Sequence, residues 1–165
     1  MRYWLSILGL SFGCAASAPP RAVPIALEAL STQTVITLAG ERTNLGHVAS
    51  GRVALVSLWA TWCDACLKEI DALNRLAART SERQDALVVG VAVGESLAEV
   101  GAFTRRHGMN YVQLVDEDFS LADALGQRSV PATLIVDRRG HIVYRGDVLD
   151  GAGLSAFRKA LGNAP

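Results

Sequence analysis

Two cysteines carry the clearest chemistry in this chain. Cys63 and Cys66 stand two residues apart in Trp62-Cys63-Asp64-Ala65-Cys66. That spacing lets the second thiol reach the first within one helical turn, close enough for the sulfurs to bond. The apolar run Val53 to Trp59 leads into the pair, and a helix is expected to follow it. The thiols therefore fall where a buried strand gives way to a helix N-terminus. Free amide N–H groups and the helix macrodipole favour an anion there. A thiolate so placed has a depressed pKa and is nucleophilic near neutral pH. Cys63 is then the sulfur that attacks a partner disulfide, and Cys66 the one that resolves the mixed disulfide. Such an exchange needs no cofactor.

A C-x-x-C can also be half of a zinc site, but structural zinc takes four ligands. No second C-x-x-C exists, and His47, His107 and His141 are scattered without ligand spacing, so no metal is expected. Two thiolates also suit Cu(I), a soft ion. A copper-handling protein stays as an alternative, although no Met cluster or neighbouring His supports it. Asp116-Glu117-Asp118 reads as a solvated turn rather than a cation site. Val130-Pro131, ahead of the β-prone run Ala132 to Val136, is the second chemical element. A cis proline there would expose the backbone of Val130 beside the sulfurs, as an edge to which an extended segment can bond. Trp62 would shield the disulfide and shape the docking surface.

The elements that must position these groups follow from patterning. The chain has 165 residues, half of them hydrophobic, which fits one domain of ordinary size plus a short leading segment. Sixteen basic and sixteen acidic side chains balance, so nothing in the charge recruits nucleic acid. Thr34 to Leu38 is β-prone and Gly40 to Thr43 is a turn. Val53 to Trp59 and Ala86 to Val93 are continuous apolar runs, the pattern of strands covered on both faces. Cys66, Ile70, Leu73 and Ala77 recur on one side of a helix after the cysteines. Ser96 to Glu99 is a capping box opening a helix with Leu97, Val100 and Phe103 on its apolar face. Tyr111 to Val115 is a short strand, and Phe119 to Leu125 a short helix stopped by Gly126. Ala132 to Val136 and His141 to Arg145 form a hairpin, and a last helix carries Leu154, Phe157 and Leu161. The alternation predicts an α/β domain with a central, mainly parallel sheet flanked by helices and a terminal hairpin at one side.

The first residues read as an export signal over 1–18, followed by a linker over 19–33 and the folded domain over 34–165. Arg2 supplies a positive start, Trp4 to Phe12 an apolar stretch, and Gly13 to Ala18 a small-residue end. Two processing routes stay open. One is cleavage, for example after Ala16; the other is lipidation of Cys14, since Ser11-Phe12-Gly13-Cys14 resembles a bacterial lipobox.

The stretch Gly51 to Glu69, with Val89-Gly90-Val91, Val130 to Asp137 and Gly140 to Val143, resembles the TlpA/ResA-like branch of the thioredoxin superfamily. The resemblance covers Thr34 to Leu161. It implies a thioredoxin fold whose central mixed sheet is flanked by helices, with an extra β-α insert over Ser96 to Val115, and a cis Pro131. It implies an exported thiol–disulfide oxidoreductase, soluble or lipid-anchored in the bacterial periplasm. Such a protein is expected to be monomeric and to reduce disulfides of exported proteins, including apocytochrome c. An upstream membrane or periplasmic thiol reductase would recharge it. The branch often has Glu where Glu69 stands, which makes Glu69 the group that exchanges the Cys66 proton. Thioredoxin has a buried acid where this chain has Ser57. The branch usually has Pro where this chain has Ala65, and the departure suggests a more oxidising couple. A peroxidase on the related peroxiredoxin scaffold is a further alternative, but that family needs Thr where Ala60 stands.

Overall fold

The computed structural model describes residues 25–162. The signal segment, Cys14 and the first part of the expected linker lie outside them. The fold is a seven-stranded mixed sheet with helices on both faces. The strands are β1 (Val35–Thr37), β2 (Arg42–Thr43), β3 (Val53–Trp59), β4 (Ala86–Val93), β5 (Val112–Asp116), β6 (Ala132–Val136) and β7 (Ile142–Gly146). Their spatial order is β2-β1-β5-β4-β3-β6-β7. The apolar runs do what their composition demands: every residue of β3 and β4 is buried.

The expected mainly parallel sheet is corrected. Only β3, β4 and β5 run parallel to their neighbours, while β1 pairs antiparallel with β5 and β6 pairs antiparallel with β3. The reason lies in the connection after β5. Helix α6 (Ser120–Ala124) has five residues, a rise of about 7.5 Å. The chain places that helix at the end of the sheet where β5 stops and enters β6 from the same end. The segment 96–115 supplies helix α5 (Leu97–Arg106) and most of β5, and it seats that strand between β1 and β4. The capping box forms as expected: Ser96 Oγ accepts from Glu99 N, and the Glu99 carboxylate accepts from Ser96 N.

Three further differences have local causes. Part of the expected linker is helix α1 (Ile25–Thr32), with Ala29 and Leu30 buried against α2 (Leu45–Ala49) and α6. The single helix expected after the cysteines is two, α3 (Asp64–Leu67) and α4 (Ile70–Thr80). The turn tightens between them, where Glu69 N donates to Cys66 O at 3.1 Å. Asp116 is not a solvated turn residue. It is fully buried, and its carboxylate accepts from Leu121 N at 3.1 Å and Ala122 N at 2.9 Å, capping α6.

The core has one layer on each face. Leu30, Leu45, Val56, Leu58, Val89 and Leu134 fill one side. Trp59, Phe103, Leu55, Leu73 and Phe157 fill the other, under α4, α5 and helix α7 (Gly151–Gly162). No helix among the described residues is long and apolar enough to cross a membrane.

Candidate redox site

β3 delivers the chain to the site, and α3 turns it back. Cys63 is the N-cap of α3, with extended backbone, and is joined to Cys66 by a disulfide. The two Cα atoms are 5.3 Å apart. Cys66 N lies 3.2 Å from Cys63 Sγ and donates to it. One turn of helix carries little macrodipole, so the break at Lys68–Glu69 changes the electrostatic reading. What the fold offers Cys63 Sγ is the Cys66 amide N–H at close range. Both cysteines are buried, 6% and 4% exposed, whereas Trp62 beside them is 68% exposed. Asp64 and Ala65 face solvent. Ala60 is buried and contributes no hydroxyl.

The Val130–Pro131 peptide bond is cis. The pairing of β6 with β3 sets Ala132 opposite Leu58, at the end of β3 that leads to the cysteines. Val130 and Trp62 line one groove, together with Leu58, Val93 and Phe119. Its volume is about 670 Å³.

Glu69 sits one turn beyond Cys66 on the same inward face of the chain. It is 9% exposed. Its Oε1 accepts from Leu149 N, in the loop before α7, while its Oε2 is buried with no hydrogen-bond partner among the described residues. Burial holds the Glu69 carboxyl above the ordinary carboxylate range; the Leu149 amide works against this more weakly.

Two residues that position the site escaped sequence reasoning. Thr61 N donates to both oxygens of Glu95, at 3.1 and 2.9 Å, and Thr61 Oγ1 also contacts that carboxylate. Glu95 follows β4, so the tether joins the C-terminal ends of two adjacent parallel strands. The available signal was that parallel neighbours bring those ends together. The other is Gln113 on β5, whose Oε1 accepts from Trp59 Nε1 at 3.1 Å. His47 and His107 are exposed, and His141 pairs with Asp137 at 3.4 Å. No group of three His, Cys, Asp or Glu among the described residues could hold a metal ion.

The sequence pattern of the AhpC/TSA family matches residues 25–145. Among curated proteins, the thiol-disulfide oxidoreductase ResA of Halalkalibacterium halodurans is 27% identical over 106 residues, covering 64% of this chain and 59% of the relative. The thiol:disulfide interchange protein DsbE of Yersinia pestis is 35% identical over 114 residues, 67% of this chain and 58% of the relative. The chain thus spans somewhat under two thirds of the length of these relatives. Among solved structures, a putative thioredoxin from Neisseria meningitidis superposes with a TM-score of 0.71 at 19% identity, over 82% of this chain and 91% of that one. A secreted Mycobacterium tuberculosis disulfide oxidoreductase superposes with a TM-score of 0.66 at 23% identity, over 81% and 98%. These likenesses agree with a thioredoxin-like fold.

Proposed function

This chain belongs to the AhpC/TSA family and is a TlpA/ResA-like member of the thioredoxin superfamily, and from that premise we propose that it exchanges disulfides with exported proteins through Cys63 and Cys66. The observation that carries the reading is the Cys63–Cys66 disulfide at the N-terminus of α3, beside a groove shared by Trp62 and Val130. Relatives named as thiol–disulfide oxidoreductases support it.

Exchange in the reducing direction takes two steps. The Cys63 thiolate attacks one sulfur of a substrate disulfide, which breaks that bond and leaves the other substrate sulfur as a thiolate. The Cys66 thiolate then attacks Cys63 Sγ, closing the intramolecular disulfide and releasing the second substrate sulfur. Two electrons pass to the substrate, and an upstream thiol reductase must return two. The Cys66 N–H stabilises charge on Cys63, and Glu69 takes the proton of Cys66 before the second step. The edge at Val130, ahead of the cis Pro131, receives extended substrate backbone, and Trp62 covers it. The substrate class is protein disulfides outside a bacterial cytoplasm, apocytochrome c among them. The protein works there as a soluble domain or tethered by lipid at Cys14.

Trapping tests this. Cys66→Ser should hold substrates on Cys63 as mixed disulfides that a thiol reductant releases and mass spectrometry identifies. If partners accumulate only on a Cys63→Ser variant, the roles of the two sulfurs are inverted. If neither variant traps exported proteins, the exchange reading fails.

A further inference from the structure

Phe119 stands in a conformation that its side chain resists. Its backbone φ is 61°, in the left-handed region, and among the described residues no other non-glycine residue lies there. A bulky residue is an outlier in that region, where glycine sits without strain. The turn into α6 imposes it. Phe119 N donates to Asp116 O at 3.4 Å, and Asp118 Oδ1 accepts from Ser120 N at 3.1 Å. The buried Asp116 carboxylate holds Leu121 N and Ala122 N just beyond. These bonds on both sides fix the backbone between them. Burial of the side chain does not offset the strain, because Phe119 is 47% exposed.

The ring is nonetheless held in one place. Its outer edge lies over Gly94, where a Cβ would collide with Phe119 Cζ, Cε2 and Cε1. Gly94 follows β4, Trp62 follows β3 and Val130 precedes β6, so one end of the sheet gathers them all. Of the large apolar side chains left exposed among the described residues, only Trp62 and Phe119 are aromatic, and both line the groove beside the disulfide. Buried Leu58 and Val93 line it too. The charged groups that line it, among the described residues, are Asp123 and Arg128. Both are exposed and of opposite sign, so the groove gives no net preference to a charged occupant. Backbone strain kept at an exposed aromatic beside a reactive pair points to what the ring binds.

We propose that Phe119 is a specificity-determining residue: with Trp62 it receives an aromatic side chain that flanks the cysteine under attack in a protein disulfide. This inference rests on the reading of Cys63 and Cys66 as an exchange pair. The two exchange steps stay as they are, and the groove adds selective binding of the segment that carries the disulfide. The groove is continuous with the Val130 edge, and its volume of about 670 Å³ is ample for one ring. A segment extended along that edge can therefore lodge a neighbouring side chain there. An aromatic side chain removes a large area from water while fixing only two χ angles. Offset or edge-to-face packing against Phe119 and Trp62 adds to this. A small polar side chain in the same place leaves both rings wet.

The test uses two peptide dimers, each joined by one disulfide, that differ only in carrying Phe or Ser beside the cysteine. The reduced protein converts a dimer to two peptide thiols and closes its own Cys63–Cys66 disulfide. Stopped-flow fluorescence follows the second-order rate constant. The Phe dimer should react about tenfold faster than the Ser dimer, the scale of taking part of one aromatic side chain out of water. Phe119→Gly and Phe119→Asn both suit the left-handed backbone and remove the ring. Each should bring the two rate constants to within about twofold of one another, too small a difference for a buried ring. The ratio decides, since a change that merely loosens the site slows both dimers alike. A ratio near one in the parent, or a tenfold preference kept by either folded variant, overturns the inference and leaves the exchange reaction standing. A parent protein that reduces neither dimer overturns the exchange reading as well.

Discussion

Gly90→Ala is the sharpest single perturbation of the site's foundation. The added Cβ would meet Gln113 Oε1 at 2.4 Å, whereas ordinary contact begins at 3.4 Å, so the carboxamide must retreat by the difference of 1.0 Å. Trp59 Nε1, 2.9 Å from the same Cβ, is crowded too. The 3.1 Å bond between them then breaks. It leaves an indole N–H and a carboxamide oxygen buried without partners, a loss of about 1–3 kcal/mol. Forcing a methyl into this close-packed layer costs about 1–3 kcal/mol more. Alanine's smaller entropy in the unfolded chain offsets about 0.4–1 kcal/mol. The net destabilisation is roughly 1–6 kcal/mol, which at mid-range lowers Tm by on the order of 10 °C for a domain of this size. Urea unfolding followed by far-UV circular dichroism measures it, and near-UV dichroism reports the Trp59 environment. The double variant Gly90→Ala/Gln113→Ala removes the atom that the methyl strikes. It should be more stable than the sum of the two single changes by about 1–2 kcal/mol. A Gly90→Ala protein within about 0.5 kcal/mol of the parent, a margin typical of surface changes, would refute the packing argument; strict additivity in the cycle would refute its attribution to Gln113.

Two further outcomes are expected. Glu69 has its folded-state pKa raised above the ordinary 4.5, so its native form carries no penalty while both states are protonated and loses stability as pH rises through the raised value. Glu69→Gln should therefore gain stability over the parent as pH climbs above 4.5, seen in urea midpoints across a pH series; a gap that stays constant with pH contradicts the burial argument. Ala65 is exposed in the first turn of α3, where proline fits without loss of a helical hydrogen bond. Ala65→Pro should lower the reduction potential of the pair by about 30 mV or more, equivalent to about 1.4 kcal/mol. Equilibration with a glutathione buffer measures this, and an unchanged or higher potential rejects it.

Local grammar explains what could be read from the chain. β3 and β4 are visible because all of their residues are buried and almost all are apolar. The start of α5 is visible because its capping box is a four-residue signal, and the placement of Cys63 at a helix start follows from β3 alone. Features that depend on register across the sheet are not visible in this way. Gln113 reaches Trp59 only because β4 lies between their strands and offers Gly90 at the level of contact. Glu95 finds Thr61 only because β3 and β4 are parallel neighbours. Asp116 looks like one of three turn acids, and its burial is decided by the helix that starts over it. α1 was obscured by the proline-rich stretch before it, since its stability comes from Ala29 and Leu30 packing on distant partners. The Lys68–Glu69 break does not disturb the apolar period, because Cys66, Ile70 and Leu73 stay on one face through it.

The seat of β5 between β1 and β4 also imposes an order of assembly. Among the described residues β1 pairs with the two-residue β2 and the late strand β5; Ile36 aligns with Val115 and Thr37 with Leu114. A chain made or threaded N-terminus first cannot close this side of its sheet until Asp116 has emerged, and the side at β3 waits for Val136. The parallel β3–β4 pair can form in the interval, with the strand edges on both flanks still open. Closing such distant partners is the slow part of building a sheet. The nascent domain therefore passes through a stage with two unprotected edges, the stage at which a chaperone or a translocation channel has most to shield.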